Sequence, residues 1–297
     1  MLRLPLPLLL FPLLAGAQAP PKALLWKIDG PGLERPSYVV GTIHSRDARA
    51  FRQVPQLLRV LQGQDVLAGE LDLSTAGTGL QLSARDLMMP PDTQLADLYT
   101  KRQLKRVENA VQGPLGPMAK MAGRMKPFFL MGVLSELAMN ADSAMVLDQY
   151  LQVKAREMGK ETMGVETVGE QLAAVRGIPL RQQADMLYDM VRKDLNRKEL
   201  DKMVRTYADQ DLEALGRLAE KADLGEPFGS HLLTGRNAVM AARMDSLMRG
   251  GRTFLFALGA LHLPMDGGVL ALLRGRGYTV TPVAADRPGA VEVPTGP

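Results

Sequence analysis

Thr253-Phe254-Leu255-Phe256-Ala257-Leu258-Gly259-Ala260-Leu261-His262 is the stretch whose reading decides the fold. Its apolar run from Phe254 to Leu258 has strand length, matches a strand buried on both faces, and leads into Gly-x-x-His. The same device closes an earlier β-rich segment, Ser37-Tyr38-Val39-Val40-Gly41-Thr42-Ile43-His44. Together the two segments hold two of the chain's three histidines. A buried strand delivers its C-terminal residue to the rim of a sheet, where ligands of open α/β sheets sit. Glycine there lets the backbone turn or be approached closely.

Outward from these two strands the pattern is α/β at both ends and helical between them. Ala23 to Ile28, a Gly30-Pro31-Gly32 turn and Tyr38 to Ile43 predict a hairpin. A helix is expected from Val54 to Leu61, stopping at Gly63, and a third strand over Asp65 to Leu73 with carboxylates at its far end. If the strands of this βαβ unit are parallel, His44 and Glu70 reach the same edge. Period-two geometry along that run puts Glu70 and Asp72 on one face.

From about Leu80 to Ala222 the spacing is helical, with Pro and Gly punctuation. Phe128, Met131, Leu134, Leu137 and Ala138 mark one apolar face; Val146, Tyr150, Val153 and Met158 mark another. A short strand over Lys160 to Thr167 interrupts the helices and presents Glu166. The last third predicts a helix from Leu232 to Arg249, the quoted strand, an apolar helix from Gly268 to Leu273 and a final strand from Gly277 to Val283. The expected organisation is one α/β domain over 20–286, with a helical insertion over about 80–222 and a disordered tail over 287–297.

Met1-Leu2-Arg3, the apolar stretch Leu4 to Leu14 and the small residues Ala15 to Ala19 have the layout of a secretory signal. Cleavage is expected after Ala17 or Ala19, giving a periplasmic or secreted chain with no transmembrane segment, since the stretch falls short of the roughly 20 apolar residues of a membrane helix. The chain has no cysteine, which excludes disulfides and thiolate metal sites. Net charge is only +4, basic and acidic residues are interleaved, and aromatics are sparse, so nucleic acid is not expected as a partner. The eighteen methionines, among them Met121, Met125, Met186, Met190, Met240 and Met244, are scattered over helical positions and read as core filling rather than copper ligands.

Two histidines and a carboxylate at strand ends suit a divalent cation such as Zn²⁺, Mn²⁺, Co²⁺ or Fe²⁺. An open coordination position would then make bound water a nucleophile at neutral pH. The plain alternatives are hydrogen-bonded structural histidines and solvated strand-end carboxylates. His231 reads as a helix-start residue, and Arg236-Asn237 as either a pair that orients a carboxylate or substrate carbonyl, or a surface pair.

The order and spacing of several loose motifs resemble the TraB/GumN family, relatives of the Tiki membrane-associated proteases. The motifs are Leu25-Trp26-Lys27-Ile28 leading to Gly41-Thr42-Ile43-His44; Glu70-Leu71-Asp72; Lys126-Pro127-Phe128; and Asp148 with Ala155 and Gly159-Lys160. They continue through Gly164-Val165-Glu166-Thr167, Glu170-Gln171-Leu172, Arg236-Asn237, Gly259 to Pro264, Asp266 to Val269 and Leu273 to Tyr278. The resemblance implies a mixed sheet, like that of erythromycin esterase, whose two halves each supply a histidine, with a helical region between them.

It also implies a metal-dependent hydrolase of peptidase type, acting on a peptide or polypeptide with a divalent ion such as Mn, Co or Zn. Carried over, His44, Glu70 and His262 are the residues for metal binding or acid–base work. Glu166 is a further carboxylate to take a proton, and Arg236 and Asn237 orient substrate or ligands. Two rival functions predict other behaviour: a periplasmic protein that sequesters a peptide or small signal, and a haem or iron carrier using a histidine as axial ligand.

Overall fold

The computed structural model describes residues 22–73, 83–193, 197–222, 228–286 and 293–294. The expected signal segment, the start of the helical region near Leu80 and most of the expected tail lie outside the described residues.

Among the described residues six strands form one sheet: β1 (Leu25–Asp29), β2 (Ser37–Thr42), β3 (Val66–Gly69), β4 (Glu161–Gly164), β5 (Phe254–Gly259) and β6 (Thr279–Pro282), in the order β4-β3-β5-β2-β1-β6. The expected hairpin is present, with Leu25 opposite Val40 and Ile28 opposite Ser37. β5 pairs parallel with β2 on one side and β3 on the other, and β4 pairs parallel with β3. β1 is antiparallel to both its neighbours, β2 and β6. The α/β class with a mixed sheet from both ends of the chain is therefore what the molecule has.

β5 explains this order. Phe254 to Leu258 are all buried, and Phe254 and Phe256 stack on one face with ring centroids 5.0 Å apart. A strand apolar on both faces is stable only as an interior strand with helices above and below. It therefore enters between the two strands of the β2–β3 crossover instead of adding to an edge. Its start is pinned by Asp65, whose carboxylate accepts from the Thr253 N–H at 2.8 Å and the Thr253 hydroxyl at 2.9 Å. These bonds, joined by the Arg35 guanidinium, hold the Asp65 pKa down at about 2.

α1 (Val54–Gln62) follows the β2 exit, and α2 (Ala84–Leu87), α3 (Leu95–Leu98), α4 (Lys101–Leu115), α5 (Ala119–Ala122), α6 (Pro127–Ala138) and α7 (Leu147–Glu157) separate β3 from β4. α8 (Val168–Arg176), α9 (Leu180–Arg192), α10 (Arg197–Ala208), α11 (Leu212–Ala222) and α12 (Gly235–Arg249) separate β4 from β5, and α13 (Val269–Gly275) precedes β6. The helical region between the strands is as expected, and its helices pack in two groups. α7, α10, α11 and α12 bury Leu151, Tyr207, Leu215 and Met240 in the core of the sheet, whereas α3, α4, α6 and α9 build a second core around Leu95, Val107, Leu130 and Leu187.

Several boundaries differ from expectation. β3 ends at Gly69, so Glu70 and Asp72 lie past the strand and the two-residue alternation does not govern them. On α6 the buried stripe is Leu130 and Leu134, while Leu137 is exposed. On α7 the expected Tyr150 is buried, as is Val146 just before the helix, while Val153 and Met158 are half-buried and Leu147, Leu151 and Ala155 complete the buried face. Met240, Met244 and Met248 are fully buried, but Met121 is exposed. In the tail, the Pro294 carbonyl accepts the Ala144 N–H at 2.9 Å.

Gly41 packs against the second Gly-x-x-His segment: a Cβ there would stand 3.0 Å from Ala260 Cα and 3.1 Å from a Leu263 methyl. Strand propensity favours valine at such a site, but overpacking costs about 1–3 kcal/mol. Gly41→Val should therefore lower the urea midpoint with an unchanged slope. A raised midpoint would show that the two motifs do not touch as described.

Candidate functional site

Four adjacent parallel strands end in step. Gly69 is opposite both Gly164 and Ala257, and Thr42 is opposite Gly259. The residues that leave these ends are, across the edge, Glu166 after β4, Glu70 after β3, His262 after β5 and His44 after β2. All four sequence-selected residues thus share one rim, the carboxyl end of parallel strands where open sheets bind ligands.

The β3 and β4 ladder runs on past the strands, since Val165 N–H donates to the Gly69 carbonyl and Glu166 N–H to the Glu70 carbonyl, each at 2.8 Å. This sets two carboxylates side by side, an arrangement that needs a cation between them. Arg236 in the first turn of α12 supplies it: its Nε donates to Glu166 Oε1 at 3.0 Å, and one terminal nitrogen reaches Glu166 Oε2 at 2.5 Å and Glu70 Oε2 at 2.8 Å. A π-helical turn, Phe228–Thr234, leads into α12, and its Leu232 carbonyl accepts the other terminal nitrogen. Gln171 on α8 donates to both Glu70 Oε2 and Glu166 Oε2.

Glu70 Oε1 faces the opposite way. It accepts the Gly259 N–H at 2.6 Å, so the glycine of the second motif is fixed by close approach: a Cβ there would lie 2.8 Å from this oxygen. The same oxygen stands 3.7 Å from His262 Nε2. The tautomer of His262 follows from its other contact. Asn237 donates its amide nitrogen to the Gly267 carbonyl at 2.8 Å, so its oxygen is the atom 2.6 Å from His262 Nδ1, and that nitrogen must carry the proton. Nε2 therefore bears a bare lone pair toward Glu70. Burial drives the His262 pKa down, which keeps the ring neutral.

His44 is placed differently, with 71% of its side chain exposed. Its Nδ1 lies 3.6 Å from Asp148 Oδ2 at the start of α7, and Asp148 Oδ1 accepts the Thr42 hydroxyl at 2.5 Å. The Asp148 carboxylate holds the His44 pKa above its ordinary value. The two motif histidines are thus pushed in opposite directions, a separation typical of sites that handle protons.

The donor chemistry fits a divalent cation. Two donors bonded to one ion at tetrahedral geometry stand about 3.4–3.5 Å apart, close to the 3.7 Å between His262 Nε2 and Glu70 Oε1. Both atoms are acceptors with no proton between them, and two carboxylates against one guanidinium leave a negative charge beside the pair. It is a half-site: among the described residues no group of three or more His, Cys, Asp or Glu side chains is arranged to hold a metal ion.

The model of the TraB/PrgY/gumN family matches residues 24–282. The chain belongs to that family. Its curated relatives include metalloprotease TIKI2 of Danio rerio, 25% identical over 87% of this chain and 60% of the relative. TIKI1 of Danio rerio is 25% identical over 90% and 64%, and TIKI1 of Homo sapiens 24% identical over 90% and 63%. The chain thus spans about three fifths of the length of these relatives. No solved structure matches. Of the two readings of Arg236-Asn237, the contacts to Glu70, Glu166 and His262 favour the orienting pair over the surface pair, while nothing in the sequence gives Asp148, Thr42 or Gln171 a role. His231 lies in the Phe228–Thr234 turn, its Nδ1 filling the space above Gly177.

A buried neutral His262 makes stability depend on pH. The unfolded chain takes up a proton near the ordinary value of 6.5, which the native ring resists. The contribution is intact above that value and is lost as pH falls toward the lowered native pKa. Urea unfolding should therefore show wild type losing more stability than His262→Gln across this window; identical slopes would contradict a buried neutral ring.

Proposed function

We propose that this protein is an exported, metal-dependent hydrolase of peptide bonds. The observation that carries the reading is the bare His262 Nε2 facing Glu70 Oε1 at 3.7 Å on the ligand-binding rim of the sheet. Family membership and the TIKI metalloprotease relatives support the same class. Export is supported by the Leu4 to Ala19 stretch. Among the described residues no helix is long and apolar enough to cross a membrane.

In this reading His262 and Glu70 hold the ion, Mn, Co or Zn in class, and His44 on the next strand end is the third donor. A divalent cation bound there supplies Lewis acidity that polarises a carbonyl and makes water more acidic. The residues do the rest. Asn237 fixes the His262 tautomer, and Arg236 and Gln171 lock Glu70 Oε2, so Oε1 alone faces the cleft. Water adds its oxygen to the carbonyl carbon as one of its protons leaves to solvent, and the leaving amine takes a proton from solvent as the C–N bond breaks.

In this reading Glu166 is not a carboxylate that takes a proton. Its side chain is 2% exposed and both oxygens are engaged by Arg236, so it serves to hold that guanidinium.

Chelator-treated protein should not cleave a mixed peptide library, and Mn²⁺, Co²⁺ or Zn²⁺ should restore cleavage. Glu70→Gln should lower kcat/KM by about 10²–10⁴-fold in a folded protein. Cleavage indifferent to both chelator and Glu70→Gln would remove the proposal, and peptide binding without product would favour a sequestering protein instead.

A further inference from the structure

We propose that Asp148 is the positioning residue of His44: it grips Nδ1 and thereby presents Nε2 to the cleft, the part that Asn237 plays for His262. The inference rests on the hydrolytic reading of the rim but is carried by separate geometry.

Both grips come from the first turn of a helix. Asp148 is the second residue of α7 and Asn237 the third of α12. Each meets its histidine at Nδ1, at 3.6 Å for Asp148 and 2.6 Å for Asn237. The Thr42 hydroxyl occupies Asp148 Oδ1 and so orients the carboxylate, leaving Oδ2 for the ring. Backbone straps fix the two segments to each other: Leu147 N–H donates to the Ser45 carbonyl at 3.3 Å and Ser143 N–H to the Arg46 carbonyl at 2.9 Å. Leu147, Tyr150 and Leu151 then anchor α7 in the core of the sheet.

The difference between the grips follows the difference in exposure. A carboxylate beside His262 would bury another charge next to Glu70 and Glu166, so a neutral amide serves there. His44 is exposed and would sample many rotamers, and there an anionic partner stands 3.6 Å from Nδ1, where its charge favours a proton on that nitrogen. Outer partners of this kind set which ring nitrogen is free, and their loss costs about 10–100-fold in metal affinity.

Three histidines make the test direct. Long-range ¹H–¹⁵N spectra of the ¹⁵N-histidine-labelled full chain, recorded well above the imidazole titration range and assigned with His44→Ala, report each neutral tautomer. Wild type should show His44 protonated at Nδ1. Asp148→Ala should move it to the Nε2–H form that free side chains favour, leave His262 unmoved, and weaken Co²⁺ binding by about 10–100-fold. Asp148→Asn, which keeps an acceptor, should retain the wild-type tautomer. Asp148→Leu preserves volume and repeats the test if the alanine variant does not fold.

An unchanged His44 tautomer in folded Asp148→Ala or Asp148→Leu would overturn the proposal, whatever the metal result. A tautomer change in a chain that binds no Co²⁺ would uphold the positioning role and sink the metal reading of the rim.

Discussion

The insertion of β5 between β3 and β2 is the constraint on which the site depends. An apolar strand with no solvated face must sit inside the sheet, and parallel pairing on both sides aligns its exit with its neighbours' exits. Four adjacent strand ends then project Glu166, Glu70, His262 and His44 from one edge, although these residues are spread over most of the chain. The close approaches at Gly41 and Gly259 show how little slack remains, since one is filled by Ala260 and the other by a Glu70 oxygen.

The electrostatics of the rim follow from that crowding. Two adjacent carboxylates are tolerated because one planar guanidinium bridges them and an amide shares the remaining acceptor. Removing one member of such a buried set leaves an uncompensated charge, typically a loss of about 3–5 kcal/mol. The bridge is therefore structural as well as functional. It also leaves Glu70 divided, with one oxygen committed to Arg236 and Gln171 and the other facing His262.

Much of this was legible in the residues. The two Gly-x-x-His strands, the hairpin and the crossover were visible because apolar runs of strand length and Gly-Pro punctuation leave local signals. The split of the helical region was hidden, since amphipathic helices look alike whether they cover a sheet or pack among themselves; only contacts assign α7, α10 and α11 to one core and α4, α6 and α9 to the other. Glu70 and Asp72 were read as alternating because the sequence does not mark where β3 stops at Gly69. Asp148 escaped a role for another reason: an acidic residue in a first helical turn is ordinary, and only the fold brings it to Thr42 and His44. Gln171 was hidden in the same way within the first turn of α8.

The central claim is that His262 Nε2 and Glu70 Oε1 form the heart of a cation site. Crystals of the chain loaded with Co²⁺, measured on both sides of the cobalt absorption edge, test it without any assumption about substrate. The account predicts an anomalous peak bonded to both of these atoms. A peak at another place, or none while Glu70 and His262 keep their present partners, would contradict it.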